Sequence, residues 1–165
     1  MSWVAPADAD SGLDAALRLR PELAERYRAF YASLWESGVV SRRILELCRL
    51  RVAAVHGCES EWQIRDSAVP LGARELEALR TGDVTVFAAA EQAALGLAEQ
   101  LPHAHQQMSD AQVAAAKDAL GDAGCVALLT ALALFDAGCR WRLVLDVPAR
   151  AVQLESPPLD DGTLV

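Results

Sequence analysis

Apolar residues recur at helical spacing along most of the chain. In the first well-marked stretch Leu23, Tyr27 and Leu34 share one face, and Pro21 suits the first turn of a helix. The same spacing, interrupted by glycine and proline, predicts helices over residues 21–36, 42–56, 58–68, 73–80, 84–100, 109–120 and 125–145. The last of these is apolar on all sides in its first half, which is typical of a central core helix.

Capping residues mark several of the predicted helix ends. Ser41 is a predicted N-cap, and Gly57 is a predicted stop for the helix that Ser41 opens. Ser109 and Gln112 have the spacing of a capping box. Pro102 is expected to end the helix before it, because proline lacks a backbone N–H group.

Composition supports an all-α fold. The chain is rich in alanine, which favours helix, and only 5% of its residues are the aromatic types that strands select. With 165 residues, 53% of them apolar, it has room for one domain with a substantial core. We expect a flexible N-terminal arm over residues 1–16, one helical domain over 17–148 and a flexible tail over 149–165.

The net charge and the hydropathy of the chain limit the classes of binding partner that we expect. The net charge is −8 and the isoelectric point is near 4.8, so the chain lacks the basic surface that nucleic acid requires. The longest uncharged run, residues 123–135, is shorter than the ~18–20 apolar residues that cross a bilayer, and we expect no membrane association. The first residues carry no basic and apolar leader, which predicts a cytoplasmic protein.

The four cysteines are too few and too irregularly spaced for a secreted disulfide framework, and we expect reduced thiols. They are Cys48, Cys58, Cys125 and Cys139. His103 and His105 make only a weak metal signal because no third ligand is near, so we expect no metal and no cofactor. Arg140 and Arg142 are interpreted as complementing the C-terminus of the last helix.

The densest set of reactive side chains lies between Glu46 and Arg65. Eleven residues separate Glu46 from Cys58, which falls in the predicted turn between two helices. This arrangement resembles the carboxymuconolactone decarboxylase family, which includes the alkylhydroperoxidase D-like proteins. The resemblance covers roughly residues 17–148 and implies an alkylhydroperoxidase D-like helical bundle that assembles as a homo-oligomer, either a trimer or a hexamer.

The peroxidase branch of that family has the signature Glu-x11-Cys-x-His-Cys-x3-His. In this chain Ser60, Glu61 and Arg65 occupy the positions of the first histidine, the second cysteine and the final histidine. Another branch resembles Cys-x-x-Glu-Trp-x-x-His, which Cys58, Glu61 and Trp62 match, although Arg65 again departs from it.

The resemblance implies a site in which Glu46, Cys58 and Glu61 are catalytic. Arg65, His56 and Trp62 are the residues expected to bind a small anionic or peroxide-type substrate. Because position 61 carries a carboxylate, no disulfide can form within this motif, and turnover like that of a two-cysteine peroxidase is not expected from it. Cys125 or Cys139 could approach Cys58 through the tertiary fold, and the sequence leaves both open.

Each candidate also has a plain structural interpretation. Glu61 and Arg65 have the spacing of an ordinary helix-surface ion pair, although Glu61 could be a general acid or base and Arg65 an anchor for a carboxylate. Glu46 could pair with an arginine of its own helix, Arg42 or Arg49, or could lie partly desolvated in a pocket. Cys58 could simply fill a helix junction.

His56 could serve as a base for Cys58 or could cap the last carbonyls of its helix. Trp62 is more often a core or interface anchor than a platform for substrate. Two hypotheses therefore remain. The chain is an enzyme that uses Cys58 and the nearby carboxylates, or it is a catalytically silent member of the family that binds a small ligand or serves oligomer assembly.

Overall fold

The computed structural model describes residues 13–147 and the backbone of residues 153–154. Its helices are α1 (Leu13–Leu17), α2 (Pro21–Glu36), α3 (Arg42–His56), α4 (Glu59–Trp62), α5 (Ala73–Thr81), α6 (Ala89–Ala104) and α7 (Asp110–Val144). Two 3-10 turns, Val84–Val86 and His105–Gln107, lie on either side of α6. Helix accounts for 79% of the structure and strand for 1%, so the all-α class is confirmed.

The predicted caps at three helix ends are confirmed. The Ser41 side chain accepts a hydrogen bond from the Ile44 N–H group, and Gly57 ends α3 in the left-handed conformation at φ 63°. The Ser109 side chain accepts from the Gln112 N–H group at the start of α7. The caps at Ser41 and Gly57 fix the two ends of α3, the helix that carries Glu46.

The predicted helix over residues 58–68 is wrong. It is a single turn, α4, after which Arg65–Asp66 forms the short strand β1, paired in parallel with β2 (Gln153–Leu154). The cause is local. The Ile64 carbonyl, which a continuing helix would use internally, accepts a hydrogen bond from Arg49 Nη2 at 2.7 Å.

Two further boundaries differ from the prediction. Residues 84–86 form a 3-10 turn, and α6 begins at Ala89 because the Glu91 side chain accepts a hydrogen bond from the Ala88 N–H group. At its other end α6 continues through Pro102 to Ala104. Proline is tolerated there because only the last turn is affected, and Arg140 Nη2 donates to the Pro102 carbonyl at 2.7 Å.

Helices α3, α6 and α7 pack against one another and form the core. Every residue from Ile44 to Ala53 on α3 is buried, including the charged side chains of Glu46, Arg49 and Arg51. Arg51 donates to the carbonyls of Leu79 and Arg80 and so ties α3 to α5. The central helix is therefore α3, and the charges it buries must be paired.

The ends of the chain fall partly outside the described residues. Residues 13–16, which the sequence assigned to the arm, belong to α1, and Leu13 is buried. In the expected tail, Gln153–Leu154 forms β2. The rest of the expected arm and tail, residues 1–12, 149–152 and 155–165, lies outside the described part of the chain.

Helix α7 is long and apolar enough to cross a bilayer by length and composition alone. A core helix of a soluble protein passes the same test, and α7 packs against both α3 and α6. This arrangement is compatible with a soluble protein.

Gly121 interrupts α7 with φ 72° and ψ 172°, a backbone conformation open essentially to glycine alone. We expect Gly121→Ala to lower the free energy of unfolding by roughly 1–3 kcal/mol, because no atom crowds the added Cβ and the cost is purely that of the backbone. Chemical denaturation measures it.

Gly96 gives the matched control because it lies inside α6 with open space around its Cα. Gly96→Ala is expected to raise stability by about 0.5–1 kcal/mol. If the two substitutions changed the free energy of unfolding equally, position 121 would not require a backbone conformation that only glycine adopts readily.

Candidate functional site

A buried network of charges joins α3 to α4. Arg49 on α3 is fully buried and makes a two-pronged ion pair with Glu46, with Nε and Nη2 each 2.8 Å from a carboxylate oxygen. Its Nη1 donates to Glu61 Oε1 at 2.6 Å and to the Glu61 carbonyl at 3.1 Å. The Asp66 N–H group donates to Glu46 Oε1 at 3.1 Å. Glu46 and Arg49 therefore fix the loop that follows α4.

Glu61 receives a second guanidinium from α7. Arg142 Nε lies 2.7 Å from Glu61 Oε2, but its N–H is poorly aligned, so the contact is an ion pair and the N–H has no hydrogen-bond acceptor. Burial opposes ionisation of Glu61, yet Arg49 and Arg142 together outweigh it and lower the pKa of Glu61. Glu61 is thus a carboxylate clamped between two arginines.

These contacts settle the alternatives for the two glutamates. Glu46 is both fully buried and paired with Arg49 of its own helix. The ion pair and the desolvation, which the sequence offered as alternatives, therefore occur together. The predicted surface ion pair between Glu61 and Arg65 is wrong. Arg65 lies in β1, where its guanidinium packs over the Trp62 ring at 4.9 Å and donates to the Ile64 carbonyl.

Cys58 lies at the start of α4 and is buried. Its Sγ is 3.6 Å from Ser60 Oγ and 3.9 Å from the carbonyl oxygen of Cys139 on α7. The side chain of Cys139 also lies close enough to act on the ionisation of Cys58. Of the two cysteines that the sequence left open, Cys139 is the one that meets Cys58.

The pKa values of this pair are displaced in opposite directions. The hydrogen bond from the Cys139 thiol, with a further one from Ser60, outweighs burial and lowers the pKa of Cys58 to about 6. The same hydrogen bond, together with burial, raises the pKa of Cys139. One sulfur is stabilised as a thiolate while the other keeps its proton.

A pocket of about 150 Å³ reaches Cys58 from the side of α5. It is lined by Ala53, Ala54, Gly57, Cys58, Glu59, Trp62 and Arg80. The Arg80 guanidinium packs over the Trp62 ring at 4.2 Å. Trp62 therefore anchors the wall of this pocket, held between two guanidinium groups.

A second pocket, of about 140 Å³, has Glu61 in its lining. Its lining comprises Leu13, Asp14, Leu17, Tyr27, Tyr31, Glu61, Ile64, Leu134, Phe135, Gly138 and Arg142. Burial and the charge of Glu61 raise the pKa of Tyr27 to about 12, so its hydroxyl stays protonated. The pocket is largely apolar, with phenol, carboxylate and guanidinium groups at one end.

His56 is not placed as either hypothesis predicted. Its Nε2 lies 2.6 Å from Asp136 Oδ1 on α7, and its ring packs edge-on against His103 at 4.7 Å. Gly57 is the C-cap of α3, directly after His56. His56 therefore links α3 to α7. Among the described residues no three metal-ligating side chains converge on one point.

Several site residues were missed by the sequence analysis. Arg142 was interpreted as complementing the end of α7, whereas it pairs with Glu61, and Cys139 was one of two open candidates. Arg49 carried a usable signal, because an arginine on a helix that is apolar on several faces must find a buried partner. Nothing in the spacing pointed to Arg80 beside Trp62.

Comparison with protein-family models, with curated proteins and with solved structures finds no match to this chain.

Proposed function

We propose that the protein is a thiol-dependent peroxidase of the alkylhydroperoxidase D-like type, in which Cys58 attacks a small hydroperoxide. The observation that carries the proposal is the position of Cys58, which lines a pocket and whose sulfur lies within hydrogen-bond distance of the Ser60 hydroxyl and the Cys139 carbonyl. A thiolate, not a thiol, is the nucleophile in such reactions. Cys58 is the described cysteine whose surroundings stabilise that form.

The reaction follows from the groups around the sulfur. The Cys58 thiolate attacks the terminal oxygen of the hydroperoxide, the O–O bond breaks, and Cys58 becomes a sulfenic acid. The alkoxide that leaves takes a proton from solvent. Arg80 lines the same pocket, where it is paired with the Glu59 carboxylate, and its guanidinium offers N–H donors to the oxygen on which negative charge develops.

The carboxylates have supporting roles in this scheme. Glu46 and Glu61 are both held by Arg49, and Glu61 also by Arg142, so they position α4 and with it Cys58. This arrangement replaces the expected role of Glu61 as a general acid or base. Its low pKa leaves it without a proton to give at neutral pH.

The pocket dimensions fit a small organic hydroperoxide. Alanine side chains and the Trp62 ring offer apolar contact, and Arg80 suits a substrate that carries an anionic or polar group. We place the protein in the cytoplasm, where the reducing environment keeps unpaired cysteines as thiols.

We also propose a homo-oligomer, either a trimer or a hexamer, on the strength of the resemblance. Exposed apolar side chains on α2 and α7, among them Leu23, Phe30, Val126 and Val144, supply surface for such contacts. Light scattering that gives 17.7 kDa at micromolar concentration would contradict this assembly.

A second candidate function is the binding of a small anion by a catalytically silent protein. It is favoured by the pocket between α2 and α7, where the buried Arg142 Nε–H has no hydrogen-bond acceptor. A ligand carboxylate could accept that hydrogen bond while the apolar wall covers the rest of the ligand.

The reactivity of the Cys58 thiol separates the two candidates. Peptide mass spectrometry measures the rate at which iodoacetamide alkylates Cys58 as a function of pH. We expect this rate to reach half its maximum at a pH well below the ordinary thiol pKa of ~8.5. The physical reason is that the hydrogen bonds from Cys139 and Ser60 lower the pKa of Cys58 to about 6. The rate should therefore stay high at neutral pH and fall only in mild acid.

Cys139→Ala is the informative variant because it removes the main hydrogen-bond donor, and it should move the inflection upward. Cys125→Ser, on the same helix but outside the site, should leave the inflection in place. A thiol that resists alkylation at every pH, or one that titrates at the ordinary value, would favour the small-anion binding protein instead.

A further inference from the structure

We infer that Cys139 is the resolving cysteine, which converts the sulfenic acid of Cys58 into a Cys58–Cys139 disulfide between α4 and α7. This inference rests on the proposed peroxide reduction and adds to it the second thiol that the motif around Cys58 lacks. Position 61, where a second cysteine would stand in the related motif, holds a carboxylate that is already bound by two arginines.

The positions of the two residues support the bond. Cys58 Sγ lies 3.9 Å from the carbonyl oxygen of Cys139 on α7, so the two cysteines are neighbours across the contact between α4 and α7. Both residues are buried, and Cys58 lines the pocket beside Trp62. A disulfide needs Cα atoms within about 4.4–6.8 Å, and the contact of Cys58 Sγ with the backbone of Cys139 brings the two residues into this neighbourhood.

The other two cysteines are poorly placed for this role. Cys125 lies on the unbroken part of α7, roughly 21 Å from Cys139 along the helix axis at 1.5 Å per residue. Cys48 lies roughly 15 Å before Cys58 along the direction of α3 and is fully buried, and burial raises its pKa. Cys139 is therefore the one suitable partner among the described cysteines.

The protonation states of the two thiols determine the order of the reaction steps. While Cys58 is a thiolate, its charge and its hydrogen bond hold the proton on Cys139. Once Cys58 carries oxygen, that negative charge is gone and the Cys139 proton is released more easily. The Cys139 sulfur then attacks the Cys58 sulfur, the S–O bond breaks, and the hydroxide that leaves takes the Cys139 proton to form water. An external dithiol reduces the disulfide and restores both thiols.

The test is peptide mapping without reductant after one equivalent of hydroperoxide has been added to the full chain. We expect the peptides of Cys58 and Cys139 to be joined, and their two thiols to be lost together from the count of free thiols. In Cys139→Ser the joined peptides should disappear, and Cys58 should remain as a sulfenic acid, the product that one equivalent of hydroperoxide gives when no second thiol reacts with it. Cys125→Ser should still give the joined pair.

The outcomes separate this inference from the function on which it rests. If Cys58 is oxidised but stays unlinked to Cys139 in the wild-type chain, or pairs with a cysteine of another copy, Cys139 is not the resolving residue while peroxide reduction stands. If Cys58 is not oxidised at all, the proposed function itself fails. Because the wild-type measurement needs no substitution, a poorly folded Cys139→Ser variant would not obscure the result, and Cys139→Ala provides a second variant.

Discussion

Arg49→Met is expected to lower the free energy of unfolding by about 3–5 kcal/mol. The substitution removes the guanidinium that pairs with both Glu46 and Glu61 inside the protein, and leaves the Glu46 carboxylate buried without a charged partner. It also strips the carbonyls of Glu61 and Ile64 of a hydrogen-bond donor. Urea denaturation followed by circular dichroism measures the change.

Two comparisons test the physical cause. Lys117→Gln removes an ion pair to Asp122 in which both side chains are well exposed, and should cost less than ~1 kcal/mol. The triple substitution of Arg49→Met with Glu46→Gln and Glu61→Gln removes the stranded charges and should recover much of the loss. A single Arg49→Met variant as stable as the wild type would contradict the buried network.

Cys58→Ser is expected to reduce hydroperoxide consumption to the rate of the same mixture without protein. Serine keeps the shape and the contact with Ser60, but its hydroxyl stays protonated at neutral pH and is a much weaker nucleophile than a thiolate. His56, the nearest imidazole in sequence, is occupied by Asp136. The assay follows loss of hydroperoxide with a dithiol as the reductant.

Cys125→Ser is the matched control because it makes the same chemical change outside the site. It should retain wild-type consumption, whereas Cys58→Ser should remain folded and inactive. Equal consumption by the two variants would place the reacting group elsewhere in the chain.

The sequence was informative where local rules decide the structure. The caps at Ser41, Gly57 and Ser109 follow from side-chain or backbone preferences within a few residues, and all three are as predicted. Desolvation of Glu46 was one of the two alternatives that the sequence left open, and Glu46 is fully buried. Such features need no knowledge of how distant helices pack.

The sequence was uninformative where distant residues compete with local ones. Glu61 was expected to pair with Arg65 because the spacing suits a helix, but α4 ends after one turn and leaves Arg65 in a strand. Arg49 and Arg142, from two other helices, then take both carboxylate oxygens of Glu61. Tertiary contacts of this kind override a helix pair that would contribute only ~0.2–0.5 kcal/mol.

The contact between Cys58 and Cys139 shows the same limitation for chemistry. The motif around Cys58 offers no second thiol at position 61, and the cysteine that contacts Cys58 comes from α7. No spacing rule connects two residues so far apart in the chain. The tertiary fold places beside Cys58 the second cysteine that the motif does not contain.

The central claim, that Cys58 is the sulfur that attacks a hydroperoxide, is tested most directly by trapping its sulfenic acid. The Cys139→Ser protein is treated with one equivalent of hydroperoxide in the presence of dimedone, and the labelled peptides are identified by mass spectrometry. The account predicts dimedone on Cys58 at neutral pH, with Cys48 and Cys125 unlabelled. Dimedone on another cysteine, or on none while Cys58 remains a free thiol, would contradict it.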